Sequence, residues 1–77
     1  MIKVLFFARL QEEFGRESLD VESDGWTIEE LKKWLSHEYH LSGLANTMSA
    51  LNEEFTEDSA VLSSGDTIAF IPPVSGG

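Results

Sequence analysis

Trp26-Thr27-Ile28-Glu29-Glu30-Leu31-Lys32-Lys33-Trp34-Leu35-Ser36-His37-Glu38-Tyr39 is the best-specified segment of the chain. The Thr27 hydroxyl can cap a helix N-terminus while Glu30, three residues on, reaches back to close a capping box. Trp26 and Leu31 occupy the flanking hydrophobic-staple positions. Glu29 and Glu30 sit in the first turn, where the helix dipole favours negative charge. Ile28, Leu31, Leu35 and Tyr39 form an apolar stripe, and Lys32, Lys33, Ser36, His37 and His40 fall mostly on other faces. Gly43 is the expected stop, giving a helix of about three turns.

Upstream, Ile2 to Ala8 is rich in β-branched and aromatic residues and reads as a strand. Period-two counting puts Ile2, Val4 and Phe6 on one face and Lys3, Leu5 and Phe7 on the other. Arg9 to Phe14 suits a short helical turn closed by Gly15. Ser18 to Ser23 alternates Leu19 and Val21 inward with Ser18, Asp20 and Glu22 outward, as a half-buried antiparallel strand does. Downstream, Thr47 to Asn52 and Phe55 to Thr56 flank Glu53-Glu54, the expected turn of a tight hairpin. Ser64-Gly65-Asp66 is a second turn. The last strand, Thr67 to Ile71, turns Ile68 and Phe70 one way and Thr67, Ala69 and Ile71 the other. Pro72-Pro73 ends it, because proline lacks the ladder N–H.

Strand, strand, helix, short strands, strand is the element order of an α+β β-grasp, or ubiquitin-like, domain: a mixed sheet packed on one main helix. A right-handed crossover, with the last strand inserted beside the first, buries Ile2, Val4, Phe6, Ile68 and Phe70 under Leu31 and Leu35. The same parity leaves Leu5, Phe7, Ala69 and Ile71 on the face away from the helix. An uncovered apolar patch of that kind points to a protein interface.

At 77 residues the chain holds one domain, read here as residues 1–72 with a flexible tail over residues 73–77. Fourteen acidic against five basic residues give a net charge of −9, which argues against nucleic acid as a partner. Acidic residues including Glu53, Glu54, Glu57 and Asp58 either favour a basic partner groove or simply solvate the surface. With no cysteine there is neither a disulfide staple nor a thiolate nucleophile, which fits a reducing cytoplasm. The longest apolar run, Val4 to Ala8, is far short of the roughly 20 residues of a membrane span, so no membrane association is expected. His37 and His40 read as an exposed helix face rather than a metal site. Glu12-Glu13 and Glu29-Glu30 point to different sides of their helices and read as capping and solvation. Trp26 and Trp34 read as packing at the core margin.

The tail Pro72-Pro73-Val74-Ser75-Gly76-Gly77 concentrates the chemistry. Two prolines stiffen the exit from the last strand, and six extended residues reach about 20 Å. Glycine has no Cβ, so Gly76 and Gly77 can thread a narrow channel and let a nucleotide approach the terminal carbonyl. The reactive atom is then the α-carboxyl of Gly77.

Asn52-Glu53-Glu54-Phe55, Gly65-Asp66, Ala69 and Ile71-Pro72-Pro73-Val74-Ser75-Gly76-Gly77 resemble the family of small, sulfur-carrier subunits of molybdopterin synthase. The opening Ile2-Lys3-Val4-Leu5-Phe6-Phe7-Ala8 agrees with it. The resemblance spans the whole chain, and the closing heptad is its most specific part. Ser49 departs from the pattern, standing where an aliphatic residue is usual, and predicts weaker local packing.

The resemblance implies that Gly77, with Gly76 beside it, is adenylated by a partner using ATP, thiocarboxylated, and then donates sulfur to a pterin precursor. A terminal carboxylate with a pKa of about 3.3–3.7 is a poor electrophile until converted to a mixed anhydride. The implied partners are the large subunit of a heterotetrameric synthase, an ATP-dependent adenylating enzyme and a sulfur donor system. No permanently bound cofactor or metal is implied. Docking is implied at Phe7, Phe55 and Ile71, with Pro72, Pro73, Val74 and Ser75 entering the partner. Three alternatives stay open: a carrier for thiamin or tRNA thiolation, a protein modifier forming isopeptide bonds, and an inert acidic interaction module.

Overall fold

The computed structural model of the chain describes residues 1–41 and 43–72. Its elements are β1 (Ile2–Phe6), α1 (Ala8–Phe14), β2 (Ser18–Val21), α2 (Ile28–Tyr39), a 3₁₀ turn (Leu44–Asn46), β3 (Met48–Leu51), β4 (Glu54–Thr56) and β5 (Thr67–Ile71). They form one mixed sheet in the order β2-β1-β5-β3-β4. The central pair, β1 and β5, runs parallel with Val4 opposite Ile68 and Phe6 opposite Phe70. All other neighbours are antiparallel. This is the β-grasp arrangement that the element order predicts.

The core follows from the alternation. Ile2, Val4, Phe6, Ile68 and Phe70 are buried in one cluster with Ile28, Leu31 and Leu35 of α2. Leu10 of α1 and Val21 of β2, with Leu41, Leu44 and Leu62 from the connections, complete that cluster. Truncating one such leucine to alanine typically costs 2–5 kcal/mol, so this layer dominates stability. Trp26 and Trp34 pack at its margin with ring centroids 6.1 Å apart, edge to face.

The α2 start carries the expected box. The Thr27 hydroxyl accepts from the Glu30 N–H at 3.2 Å, and the Glu30 carboxylate accepts from the Thr27 N–H at 2.9 Å. The next donors are met from outside the helix: Ile28 N–H donates to the Ala60 carbonyl and Glu29 N–H to that of Asp58, each at 3.0 Å. The loop before β5 is therefore part of the helix cap. Gly15 closes α1 as expected, at φ 84° with its N–H on the Gln11 carbonyl.

Five readings need correction. The α2 helix ends at Tyr39 with His40 left-handed (φ 54°), and Gly43 instead opens the 3₁₀ turn. Continuing the helix would carry Leu41 away from the stripe, whereas leaving at His40 buries it. Tyr39, placed in the stripe, is 40% exposed and packs its ring edge-on against Phe14 and Trp34. Lys32, placed on a polar face, is buried at 5% exposure, because it lies within about a third of a turn of Leu31. The hairpin turns on Asn52-Glu53, not Glu53-Glu54: both have positive φ (50° and 72°), the I′ geometry that matches strand twist. Strand β2 also stops at Val21, before Ser23.

Thr27→Ala lowers stability by about 1 kcal/mol in urea unfolding. The Glu30 carboxyl is held below its ordinary range, first by the Thr27 N–H and then by the Thr27 hydroxyl. A depressed folded value means its contribution is present above the unfolded pKa of about 4.3 and fades as pH falls through the folded value. The urea-midpoint gap between the native chain and Glu30→Gln accordingly narrows on acidification; a gap that widens would refute the cap assignment.

Candidate functional site

One helix covers one face of this sheet, and the opposite face carries the other parity of the same strands. Leu5 of β1 sits opposite Ala69 of β5, Ala69 opposite Ala50 of β3, and Ala50 opposite Phe55 of β4. Alanines at the two central positions lower the floor, and larger side chains stand around it. The result is an open groove of about 540 Å³ lined by Leu5, Phe7, Ala50, Phe55, Ala69 and Ile71, with Asn52, Glu53 and Thr67 at one end.

The backbone explains why the rim is apolar. Phe7 follows β1 in extended conformation (φ −124°, ψ 154°) just before α1 begins, so it keeps the outward parity of Leu5 and is 44% exposed. Phe55, on the short edge strand β4, is 69% exposed. Ile71 ends β5 opposite Met48, itself 45% exposed. Parallel pairing of Phe6 with Phe70 places Phe7 and Ile71 at the same end of the sheet, where β5 runs into Pro72.

The three predicted docking residues Phe7, Phe55 and Ile71 thus line a single groove. Pro72 is half-buried directly after β5 and is not part of its lining. Pro73, Val74, Ser75, Gly76 and Gly77 lie outside the described residues. Ala50, Asn52 and Thr67 were not singled out as site residues, nor was Met48 at the groove's Ile71 corner. Period-two counting through β3 would have found Met48, Ala50 and Asn52, since Ser49 and Leu51 share the other parity.

The polar end of the groove is built by Asn52. Its N–H donates to the Thr67 carbonyl, its Oδ1 accepts from the Thr67 N–H at 3.0 Å, and its Nδ2 donates to Asp66 at 3.0 Å. Asp66 also accepts from the Ser63 N–H at 2.8 Å. These bonds, the Asn52 amide first and the Ser63 N–H second, hold the Asp66 carboxyl below the ordinary range. On the helix side, His37 is exposed and His40 lies past the helix end, so the two do not share a helical face. Among the described residues no three His, Cys, Asp or Glu side chains converge as a metal site. No helix of the described residues is long and apolar enough to cross a membrane.

Sequence comparison matches residues 4–77 to the ThiS family. The chain belongs to the ThiS family. A curated relative, the molybdopterin synthase sulfur carrier subunit of Escherichia coli, is 36% identical over the full length of both chains. Among solved structures, the complex of subunits 1 and 2 of the molybdopterin-converting factor from Helicobacter pylori contains a chain 27% identical with a TM-score of 0.72. That likeness covers 99% of this chain and 97% of that one. SAMP1 from Haloferax volcanii is 26% identical with a TM-score of 0.75, covering 99% and 98%. Within this ThiS-family chain the groove, rather than the element order, is the feature with chemical individuality.

Asn52→Ala removes the main bond that keeps Asp66 acidic. In a carboxyl NMR titration the Asp66 midpoint rises toward the ordinary aspartate range, and urea unfolding shows a loss of about 0.5–1.5 kcal/mol. An unmoved Asp66 midpoint would show that the Asn52 bridge is not what holds it.

Proposed function

We propose that this chain is the sulfur-carrier small subunit of a molybdopterin synthase, working in the cytoplasm. The observation that carries the proposal is an apolar groove whose Phe7 and Ile71 corner lies where β5 runs into the Gly-Gly-ended tail. In this reading the docking face lies at the end of the domain where the chain leaves β5. The family membership and the full-length likeness to a sulfur carrier subunit support it.

In this reading a partner enzyme joins the Gly77 carboxylate to the α-phosphate of ATP and releases pyrophosphate. Sulfide-level sulfur (hydrosulfide) supplied by a donor system then attacks the carbonyl, displaces AMP and loses its proton, leaving a thiocarboxylate. The first step exchanges a leaving group at the α-phosphorus, with the carboxylate as nucleophile, and the second exchanges AMP for sulfur at the carbonyl, so the carrier needs only an accessible terminus. The sequence holds no cysteine and no glycine-rich phosphate loop, which assigns ATP binding and acid–base work to the partners. The groove then seats the large subunit, which receives the tail and holds the pterin precursor. No permanently bound cofactor is needed on this chain. The likeness to a small archaeal modifier protein supports one second reading, a protein modifier using the same carboxyl activation.

Intact mass after incubation with the activating enzyme, ATP and a sulfur source distinguishes them. Replacement of one oxygen by sulfur adds about 16 Da, whereas a modifier yields high-mass conjugates on immunoblots. Deleting Gly77 leaves the urea midpoint unchanged and abolishes both sulfur uptake and transfer; transfer by the truncated chain would end the proposal. Phe7→Ala and Ile71→Ala each weaken binding of the large subunit by about tenfold, the loss expected of buried interface anchors. Unchanged affinity in both would mean that the groove is not the docking face.

A further inference from the structure

The buried Lys32 has no part in the chemistry described so far, yet it sits at the centre of a polar network beneath the sheet. Its Nζ donates to the Thr47 carbonyl at 3.1 Å and to Asp58 Oδ2 at 2.9 Å. The other Asp58 oxygen, Oδ1, accepts from the Ser49 hydroxyl at 3.1 Å. Lys32 is 6% exposed in its side chain and Asp58 42%. The Thr47 hydroxyl is occupied separately, donating to the Leu44 carbonyl at 2.7 Å.

What this network holds is strand β3, whose own pattern is ambiguous. Met48-Ser49-Ala50-Leu51 turns Ser49 and Leu51 toward α2 and Met48 and Ala50 toward the groove. Burial by hydrophobicity alone does not select that arrangement. Leucine and methionine are comparable in transfer, and alanine is preferred to serine in a core. A one-residue slip would therefore put Met48 and Ala50 inside at no hydrophobic cost and would reverse every side chain of the strand. The polar contacts break that tie. Only with Ser49 inward does its hydroxyl meet Asp58, and only then does the Thr47 carbonyl meet Lys32. Thr47 and Ser49 flank Met48, and Met48 pairs with Ile71, the last strand residue before Pro72.

We propose that Lys32, acting through Asp58, Ser49 and Thr47, is a positioning residue that fixes the register of β3 and so shapes the groove corner where β5 ends. The effect on docking rests on reading that groove as the docking surface; the effect on register does not. Asn52 pins the far end of β3 to Thr67, so the Lys32 network governs the end nearest the tail.

The test uses the full chain as a double variant, Lys32→Met/Asp58→Leu. Both charges go together, so no unpaired ion is left inside and folding is retained. Nuclear magnetic resonance with amide hydrogen exchange reads the register directly. The expected result is doubled resonances for Met48 to Leu51, amide exchange there about tenfold faster relative to the β1–β2 pair, and severalfold weaker binding of the large subunit. Adding Ser49→Val to the double variant restores a single set of resonances, slow exchange and affinity, because the inward face is then named by hydrophobicity. A double variant with one set of β3 resonances and native exchange overturns the proposal, as does failure of Ser49→Val to restore them. Altered exchange with unchanged affinity overturns the positioning of the groove. If the native chain binds no large subunit, the proposed function fails while the exchange arm still decides the register.

Discussion

The parallel pairing of β1 with β5 is the contact on which the rest of the molecule depends. Both strands lie in the middle of the sheet and both carry apolar side chains on each parity. Such strands normally occur where helices cover both faces, but the described residues supply only one long helix. Its stripe seals Ile2, Val4, Phe6, Ile68 and Phe70, and nothing among the described residues seals Leu5, Ala69 and Ile71. The core and the exposed groove are thus two consequences of one pairing. Because the pairing is parallel, it also brings the end of β1 beside the end of β5, which joins Phe7 to the root of the tail.

The groove combines features suited to recognition. Its floor is made of small residues and its rim of a few large ones, so in the proposed docking a partner's side chains would enter the groove and Phe7 and Phe55 would enter the partner. Docking there removes exposed aromatic surface from water, the term that dominates association. The acidic surface, with a net charge of −9 over the chain, acts at longer range. It opposes self-association of the carrier and favours approach to a basic surface, more strongly at low ionic strength.

Periodicity made most of this architecture legible. The bounds of β5, the start of α2 and the two parities of β1 follow from alternation and capping chemistry, which are local. The parts that were missed are those settled by distant residues. Lys32 lies beside Leu31 on the helical wheel, but a buried ammonium there becomes readable only once Asp58, twenty-six positions along the chain, is known to lie beside it. Ser49 reads as a packing defect until the same carboxylate supplies its partner. The stop at His40 required knowing that Leu41 is drawn back into the core. The turn at Asn52-Glu53 has a local signal, since asparagine tolerates positive φ, whereas the pair Glu53-Glu54 marks a turn only by its polarity. Of the site, the strand-borne residues Phe7, Phe55 and Ile71 were readable by parity, whereas Pro73 to Gly77 lie outside the described residues.

A carrier of this design needs a base that does not yield when the tail is pulled into a partner. The loop leading to β5 meets that need through its bonds to the helix start. Leu62 N–H donates to the Trp26 carbonyl at 2.8 Å, Thr27 bridges Val61, and Asp58 serves the Glu29 N–H through its backbone while holding Lys32 through its side chain. The loop that leads into β5 is therefore tied to the start of α2, and β5 itself is held between β1 and β3. A docked groove on such a base confines the six residues from Pro72 onward to a reach of about 20 Å. Confinement of that kind corresponds to effective concentrations in the millimolar range. Under the proposed function modest groove affinity would then be enough to deliver the terminal carbonyl, and release would stay fast enough for the chain to pass from one partner to the next.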